Sequence, residues 1–228
     1  MFFDDLVKVL EKRDMSNKEI YILGVGHNTV VYIDLAESCG YKIAGLYHYN
    51  DQRIGENIQG IPIIASNFDL FKKKSLEGMN FAISVGDNKI RSELANKIRE
   101  KGGKTLTLIH PTAVVSKYAA ISEGVVIHAN SVVQADVIIK KDTVISYNTS
   151  VTHTSFIGEA CYLAFNSSIG AYVKIQDHVF IGQSASIVSG KLEYVGYNSI
   201  VGAGSVVIKN VEPNSVVAGN PAKLIKSN

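Results

Sequence analysis

From residue 109 to residue 187 an aliphatic side chain recurs at every sixth position: Ile109, Val115, Ile121, Ile127, Val133, Ile139, Ile145, Val151, Ile157, Leu163, Ile169, Ile175, Ile181 and Ile187. Four places after each anchor stands a small or β-branched residue, from Ala113 through Thr149, Ser155 and Cys161 to Ala185. The pattern slips by two at Glu193 and resumes at Val195, Val201 and Val207. A period of six is neither that of a helix nor that of a plain alternating strand. It describes a short strand plus a turn, repeated as a solenoid whose units are stable only when stacked on their neighbours.

The first half of the chain is patterned differently. Phe3, Leu6, Val7 and Leu10 predict a short amphipathic helix over 2–13. Apolar strands follow at Glu19–Leu23, Lys42–Tyr47 and Phe81–Val85; one helical run follows Asn28 through about Ser38, and another, with Ile90, Leu94 and Ile98, follows Asn88 and runs to Gly102-Gly103. Strand, glycine turn, helix and strand form a βαβ unit, so residues 18–106 are expected to fold as a small parallel α/β domain. The expected organisation is therefore an N-terminal extension (1–17), that α/β domain, and the repeat domain (107–228). In a parallel α/β sheet, ligands sit at the carboxyl ends of the strands, where helix N-termini attract phosphate. Gly24-Val25-Gly26 is placed as such a turn. It lacks the full dinucleotide spacing, and Leu46-Tyr47-His48-Tyr49 supplies no acid for a ribose. Tyr47 is placed to stack on a base or to cover the strand end, and His48 to touch a ligand.

Composition narrows the function class. The 228 residues carry 23 Lys and Arg against 21 Asp and Glu, a net charge of +2, interspersed rather than clustered. No nucleic-acid or anionic-membrane signature results. No apolar run is long enough to span a bilayer, and the N-terminus lacks the pattern of a signal peptide. Cys39 and Cys161 are too few for a disulfide framework and suit buried thiols in a reducing, cytoplasmic compartment.

The hexads resemble those of hexapeptide-repeat acyltransferases, in which three hexads close one triangular coil. That resemblance implies an all-β left-handed parallel β-helix after the Rossmann-like α/β domain. Gly-Val-Gly-His (24–27), Ile-Ser-Val-Gly-Asp-Asn-Lys-Ile-Arg (83–91), Ile-His-Pro-Thr-Ala (109–113) and the closing Val-Ala-Gly-Asn-Pro-Ala-Lys (217–223) together resemble the NeuD/PglD-type sugar acetyltransferases over about residues 18–225. The family includes nucleotide-amino-sugar N-acetyltransferases and sialic acid O-acetyltransferases. What the resemblance implies is a homotrimer that takes acetyl-CoA as co-substrate, uses no metal, and acts on a nucleotide-diphosphate amino sugar for surface glycan biosynthesis.

Residue by residue, the resemblance implies acceptor contacts at Gly26, His27, Tyr47, His48, Gly86, Asp87 and Asn148. It implies pantetheine contacts at Tyr162, Ala171, Gln183 and Ala203, with an oxyanion donor among the amides near Gly170-Ala171. Asn-Thr-Ser-Val-Thr-His-Thr-Ser-Phe-Ile-Gly (148–158) resembles the segment carrying the catalytic base, which makes His153 that base. An amine attacking a thioester must lose a proton, and imidazole titrates near physiological pH. The family usually has an acid directly after this histidine, whereas Thr154 stands here. Asp136, one coil away on the same edge, is a candidate for the missing carboxylate; a backbone carbonyl or a water is the alternative. Three rival readings stay open: sugar O-acetylation with the same base, a non-catalytic sugar-nucleotide-binding trimer, and a metal-dependent hydratase, for which the histidine spacing offers no close pair.

Overall fold

A computed structural model describes residues 18–227; the helix expected over 2–13 lies outside the described residues. The N-terminal half is a six-stranded sheet in the order β3-β4-β2-β1-β5-β6. Its strands are β1 (Glu19–Leu23), β2 (Lys42–His48), β3 (Asn57–Ile58), β4 (Ile61–Ser66), β5 (Asn80–Ile83) and β6 (Lys104–Thr105). All neighbours pair in parallel except β3 and β4. Those two form a hairpin whose turn, Gln59-Gly60, has positive φ at both residues (48° and 81°), the backbone twist that two-residue hairpins favour. Helices α1 (Thr29–Ser38), α2 (Asn67–Lys72) and α3 (Asn88–Glu100) follow β1, β4 and β5. The chain leaves β1 toward β2 on one side and later returns to β5 on the other. The carboxyl ends of β1 and β5 therefore form a topological switch point, where open α/β sheets bind ligands.

From Leu108 onward, two-residue strands wind into a left-handed parallel β-helix with three flat sheets. Val126 pairs with Val144, Val144 with Tyr162 and Tyr162 with Phe180, so one coil takes 18 residues. The anchors Ile127 to Val207 fill the prism and are essentially inaccessible to solvent. Chain length per coil grows to 20 between Lys174 and Tyr194, the slip seen in the sequence. A final antiparallel pair, Ser215–Gly219 with Ala222–Ser227, closes the end.

The small slot does more than leave room at the corner. Ser131, Thr143, Thr149 and Ser155 each donate their hydroxyl to a corner carbonyl of the next coil, at Ser146 (2.6 Å), Gly158 (2.7 Å), Ala164 (3.1 Å) and Gly170 (2.8 Å). Corner carbonyls leave the strand ladder and would otherwise be buried without partners. Three places after an anchor, the corner residue adopts a left-handed conformation, with φ between 49° and 63° from Asn130 to Ser184. Asn and Asp tolerate this best among residues with a side chain, which explains Asn130, Asp136, Asp142, Asn148 and Asn166. Thr154, Ala160 and Tyr172 occupy the same slot against that preference.

The two halves share a core. Leu108, Val126 and Val144 of the first coils pack with Ile20, Ile22, Ile33 and Leu46 of the sheet and α1. Beside that cluster, Arg91 of α3 is buried, and its guanidinium donates to the carbonyls of Asp142 (3.0 Å), Ala160 (3.0 Å) and Cys161 (3.0 Å) and to Asn88 Oδ1 (2.8 Å). Arg99 adds a forked pair to the buried Asp142 carboxylate at 3.0 and 2.6 Å. Five fixed donors on a planar cation suit a site made of converging carbonyls.

Candidate active site

Two cavities bear on chemistry, and the first lies at the switch point. It encloses about 500 Å³ and is lined by the Gly24–Asn28 turn, Tyr49, Asn67, Ser84, Val85 and Gly86, with Ile90 and Leu94 of α3 behind. The turn is held by local geometry: Gly26 N–H donates to Thr29 Oγ1 (2.8 Å), and Ser84 Oγ donates to Gly24 O (2.8 Å). Gly24 has φ +94°, a left-handed value that suits glycine. Gly26, His27 and Gly86, three of the expected acceptor contacts, thus line this cavity.

Four other expected acceptor residues stand elsewhere. Tyr47 is 2% exposed and packs its ring against Tyr21 and Phe81, at centroid distances of 5.8 and 6.4 Å. It is core, because the alternation of β2 turns it under the sheet, and burial pushes its hydroxyl up to about 12. His48 is also buried; its Nδ1 pairs with Asn50 O at 3.1 Å, and the neighbour that reaches the cavity is Tyr49. Asp87 caps α3, accepting from Lys89 N (2.9 Å) and Ile90 N (2.9 Å). Asn148 stands exposed at a different corner of the prism from His153, across the strand Ser150–Val151. One lining residue had no signal in the sequence. Asn67 Oδ1 is sealed from solvent with no hydrogen-bond partner among the described residues.

The second cavity, about 820 Å³, runs up one edge of the β-helix from His153 past Ala171 and Tyr172 to the slipped segment Ser189–Glu193, Lys209 and Asn210. His153 is exposed two places after its anchor. Its backbone N–H donates to Gln134 Oε1 (3.1 Å), its Nδ1 lies 3.2 Å from Thr154 Oγ1, and its ring meets Tyr172 edge-on at 5.4 Å. Asp136 does stack one coil from Thr154, since Ile138 pairs with Phe156. No hydrogen bond joins Asp136 to His153, because the register puts the carboxylate below Thr154 and the Thr154 hydroxyl beside the ring. The expected oxyanion donors are engaged: Gly170 N–H donates to Ile187 O (2.8 Å) and Ala171 N–H to Ser189 Oγ (2.8 Å).

Of the expected pantetheine contacts, Ala171 shares the edge of His153, whereas Gln183 and Ala203 stack on another edge of the same prism, two places after Ile181 and Val201. Tyr162 faces neither edge; it stacks on Phe180 at 5.6 Å and packs into the core shared by the two halves. Lys191, Glu193 and Lys209 also line the second cavity and were not anticipated; the slip in the repeat at 189–194 was the visible signal of the first two.

Comparison with known proteins bears on both halves. Residues 19–98 match the PglD N-terminal domain, and residues 104–192 match the GMPPB C-terminal domain. The GDP-perosamine N-acetyltransferase of Escherichia coli O157:H7 is 27% identical over 209 residues, 88% of this chain and 92% of that protein. PerB from Caulobacter crescentus, crystallised with CoA and GDP-perosamine, superposes with a TM-score of 0.83 at 28% identity, covering 91% of this chain and 97% of that one. The chain thus joins a PglD-type N-terminal domain to a hexapeptide-repeat half, and it is similar over most of its length to sugar N-acetyltransferases.

The acetyltransferase domain of PglB from Neisseria gonorrhoeae, in complex with acetyl coenzyme A, agrees over 92% of this chain and all of that domain, at 28% identity and a TM-score of 0.67. Other relatives match only part of the chain. Two yeast acetyltransferase-like proteins, from Saccharomyces cerevisiae and Schizosaccharomyces pombe, are 48% and 40% identical over 54 and 67 residues. The chain spans 26% and 31% of their lengths.

Proposed function

We propose that this protein transfers the acetyl group of acetyl-CoA to the amino group of a nucleotide-linked amino sugar, with His153 as general base. One observation carries the reading. His153 stands at the open edge of the large cavity with Nδ1 taken up by Thr154, which leaves Nε2 for proton transfer. The Thr154 hydroxyl can accept from Nδ1–H, and in that tautomer Nε2 is the basic nitrogen. As the sugar amine attacks the thioester carbonyl, the new C–N bond forms and the C–S bond breaks. Nε2 takes the amine proton and returns it to the departing thiolate, so protons balance without a metal or a protein nucleophile. A CoA phosphate tail laid along the edge would meet Lys191 and Lys209, whose charges favour it.

The switch-point cavity holds the nucleoside diphosphate. The amide-rich turn before α1 suits the diphosphate, and Asn67 Oδ1 offers an acceptor that a ligand donor would satisfy. A homotrimer follows from the edges: His153 and Ala171 occupy one, Gln183 and Ala203 another, and both sets line one donor groove only if unlike edges of adjacent copies meet. A triangular prism paired in this way closes after three copies. Tyr172, 70% exposed beside His153, is then covered by the neighbouring copy. A cytoplasmic role in making surface glycans fits an acetyl-CoA-dependent step on a nucleotide sugar.

Thiol release from acetyl-CoA is the direct test, measured with GDP-, UDP- and dTDP-linked amino sugars and with free sialic acid. Release is expected with one nucleotide-linked amine. Turnover of hydroxyl acceptors alone would replace the reading with O-acetylation.

A further inference from the structure

The prism is finished differently at its two ends. At the C-terminal end the antiparallel pair Ser215–Gly219 and Ala222–Ser227 closes it, with Ala222 packed against the core. At the other end the first coil carries the same kind of inward anchors as the rest, Ile109, Val115 and Ile121. One coil further in, Ile127, Val133 and Ile139 are sealed from solvent, whereas Ile109 is 36% exposed and Val115 and Ile121 are half-buried. The strands Leu108–Ile109, Val114–Val115 and Ala120–Ile121 are the edges of the three sheets, and among the described residues no strand pairs beyond them. The terminal unit of a solenoid needs a cover with a polar outer face, because its apolar interior otherwise meets water and its open edges invite pairing.

The described residues start beside this open end. Cys39, just past α1, donates its Sγ–H to Ile109 O (3.3 Å). The turn after it, with Gly40 at φ 79°, brings Lys42 N within 2.9 Å of Lys18 O, and Lys18 Nζ lies 3.5 Å from the position of a Cβ on Gly40. Residues 1–17 thus join the fold a short step from the exposed anchors. The matched N-terminal domain begins only at residue 19, so this segment is an addition to the shared architecture. At helical spacing Phe3, Leu6, Val7 and Leu10 fall on one face, and Asp4, Asp5, Lys8, Glu11 and Lys12 on the opposite one. A helix over 2–13 measures about 18 Å. One hexad side of the prism is at most about 20 Å long, and residues 14–17 can bridge up to ~14 Å back to Lys18.

We propose that residues 2–13 dock as an amphipathic helix across the open end of their own prism, with Phe3, Leu6, Val7 and Leu10 on Ile109, Val115 and Ile121 and the charged face outward. Apolar surface leaves water on both sides of the contact, and the first coil gains the neighbour that every later coil already has. Leu108 of that coil belongs to the core shared with α1, so the cap also braces the junction of the two halves.

Hydrogen–deuterium exchange on the full chain tests it. The amides of Leu108, His110, Val114, Ser116, Ala120 and Ser122 donate to the second coil, so their exchange reports fraying of the first. The double variant Leu6→Asp/Leu10→Asp puts charge on the docking face. It is expected to speed exchange of those amides roughly tenfold or more and to leave the coils from Val144 onward unchanged. Leu6→Ser, a milder change, should give a smaller increase at the same amides, and Lys8→Gln, on the outward face, none. In wild type, residues 2–13 should also exchange more slowly than the same sequence as a free peptide. First-coil exchange that is unchanged in both Leu6 variants overturns the proposal. Protection that grows with protein concentration, together with a rising mass by light scattering, overturns it in favour of a second copy as the cover. Slowing of exchange in 2–13 only on phosphatidylglycerol vesicles overturns it in favour of a membrane-surface helix.

Discussion

The two halves of this protein build sites in opposite ways. In the α/β half every element is unlike the next, and the site arises where the chain reverses its order across β1, so its lining comes from the ends of several strands. In the β-helix each hexad is interchangeable with its neighbours, and regular units confer no chemistry. The edge cavity there coincides with departures from the repeat: His153 beside Thr154, which stands at a corner that prefers Asn, and the slip at 189–194, whose residues line the cavity. A repeat shows its fold plainly and reveals its site only where it breaks its own rule.

The strongest challenge to this division is at the seam. If the halves act as one body, Arg91→Met should destabilise the whole protein by about 3 kcal/mol or more. It removes charge-assisted hydrogen bonds and leaves the carbonyls of Asp142 and Ala160 buried without donors. One lowered thermal transition is the expected result. Two separated transitions, with the β-helix unchanged, would show that the halves fold independently.

Next in size is the departure at His153. His153→Ala should lower kcat by roughly a hundredfold, the ordinary contribution of a positioned base, while acetyl-CoA and acceptor affinities stay near wild type. Asp136→Asn should change kcat little, because Thr154 rather than Asp136 contacts the ring. A near-normal His153→Ala enzyme, folded and trimeric, would remove the base assignment.

Glycines sharpen the contrast, because one residue type serves both halves differently. A Cβ on Gly182 would lie 2.6 Å from Ala203 N and 2.7 Å from Val201 O, backbone of the next coil that cannot yield. Gly182→Ala should therefore cost about 1–3 kcal/mol, as overpacking does. A Cβ on Gly26 meets nothing nearer than 3.9 Å. Gly26→Ala should keep its melting temperature and lose nucleoside diphosphate affinity, since the methyl projects where phosphate would approach. A melting temperature that falls for both would mean the turn is structural.

His128 reports on the seam through pH. It is buried between Tyr32 and Tyr147, and burial lowers its pKa from 6.5 to about 4. Between those values the unfolded chain binds the proton and the folded chain does not, so stability falls as pH drops from about 6.5 to about 4. His128→Phe should flatten that part of the melting-temperature profile. An unchanged slope would assign it to carboxylates instead.

How much of this was legible beforehand follows the same division. The hexad anchors, the extra residues near Glu193 and the βαβ order all stand in the sequence, because burial imposes periodicity. His153, Gly26, His27 and Gly86 were marked by local motifs, and each lies at a cavity. Tyr47 was misplaced because alternation along β2 settles which side chain goes under the sheet, and the motif alone does not carry that phase. Gln183 and Ala203 share a hexad position with Ala171 but not an edge. Asn67 and the joint between Asn88 and His178 depend on contacts between segments, about 90 residues apart in the second case, which no local pattern records.

The smallest effect is the most diagnostic of the rule about departures. Thr154 is β-branched and held at φ 60°, a conformation costing about 1 kcal/mol or somewhat more. Thr154→Gly relieves that cost, offset in part by the greater freedom of glycine in the unfolded chain, so stability should rise by about 1 kcal/mol at most. The same change removes the hydroxyl beside His153 Nδ1, and kcat should fall severalfold with KM little altered. Thr154→Ser keeps the hydroxyl and should hold kcat near wild type. Thr154→Asp, which fits the corner and brings a carboxylate to Nδ1, should raise the kinetic pKa of the base, because the carboxylate favours the imidazolium. A glycine variant both more stable and slower is the outcome that ties the strain to catalysis. If it is more stable and equally fast, Thr154 is a tolerated misfit and water orients the ring.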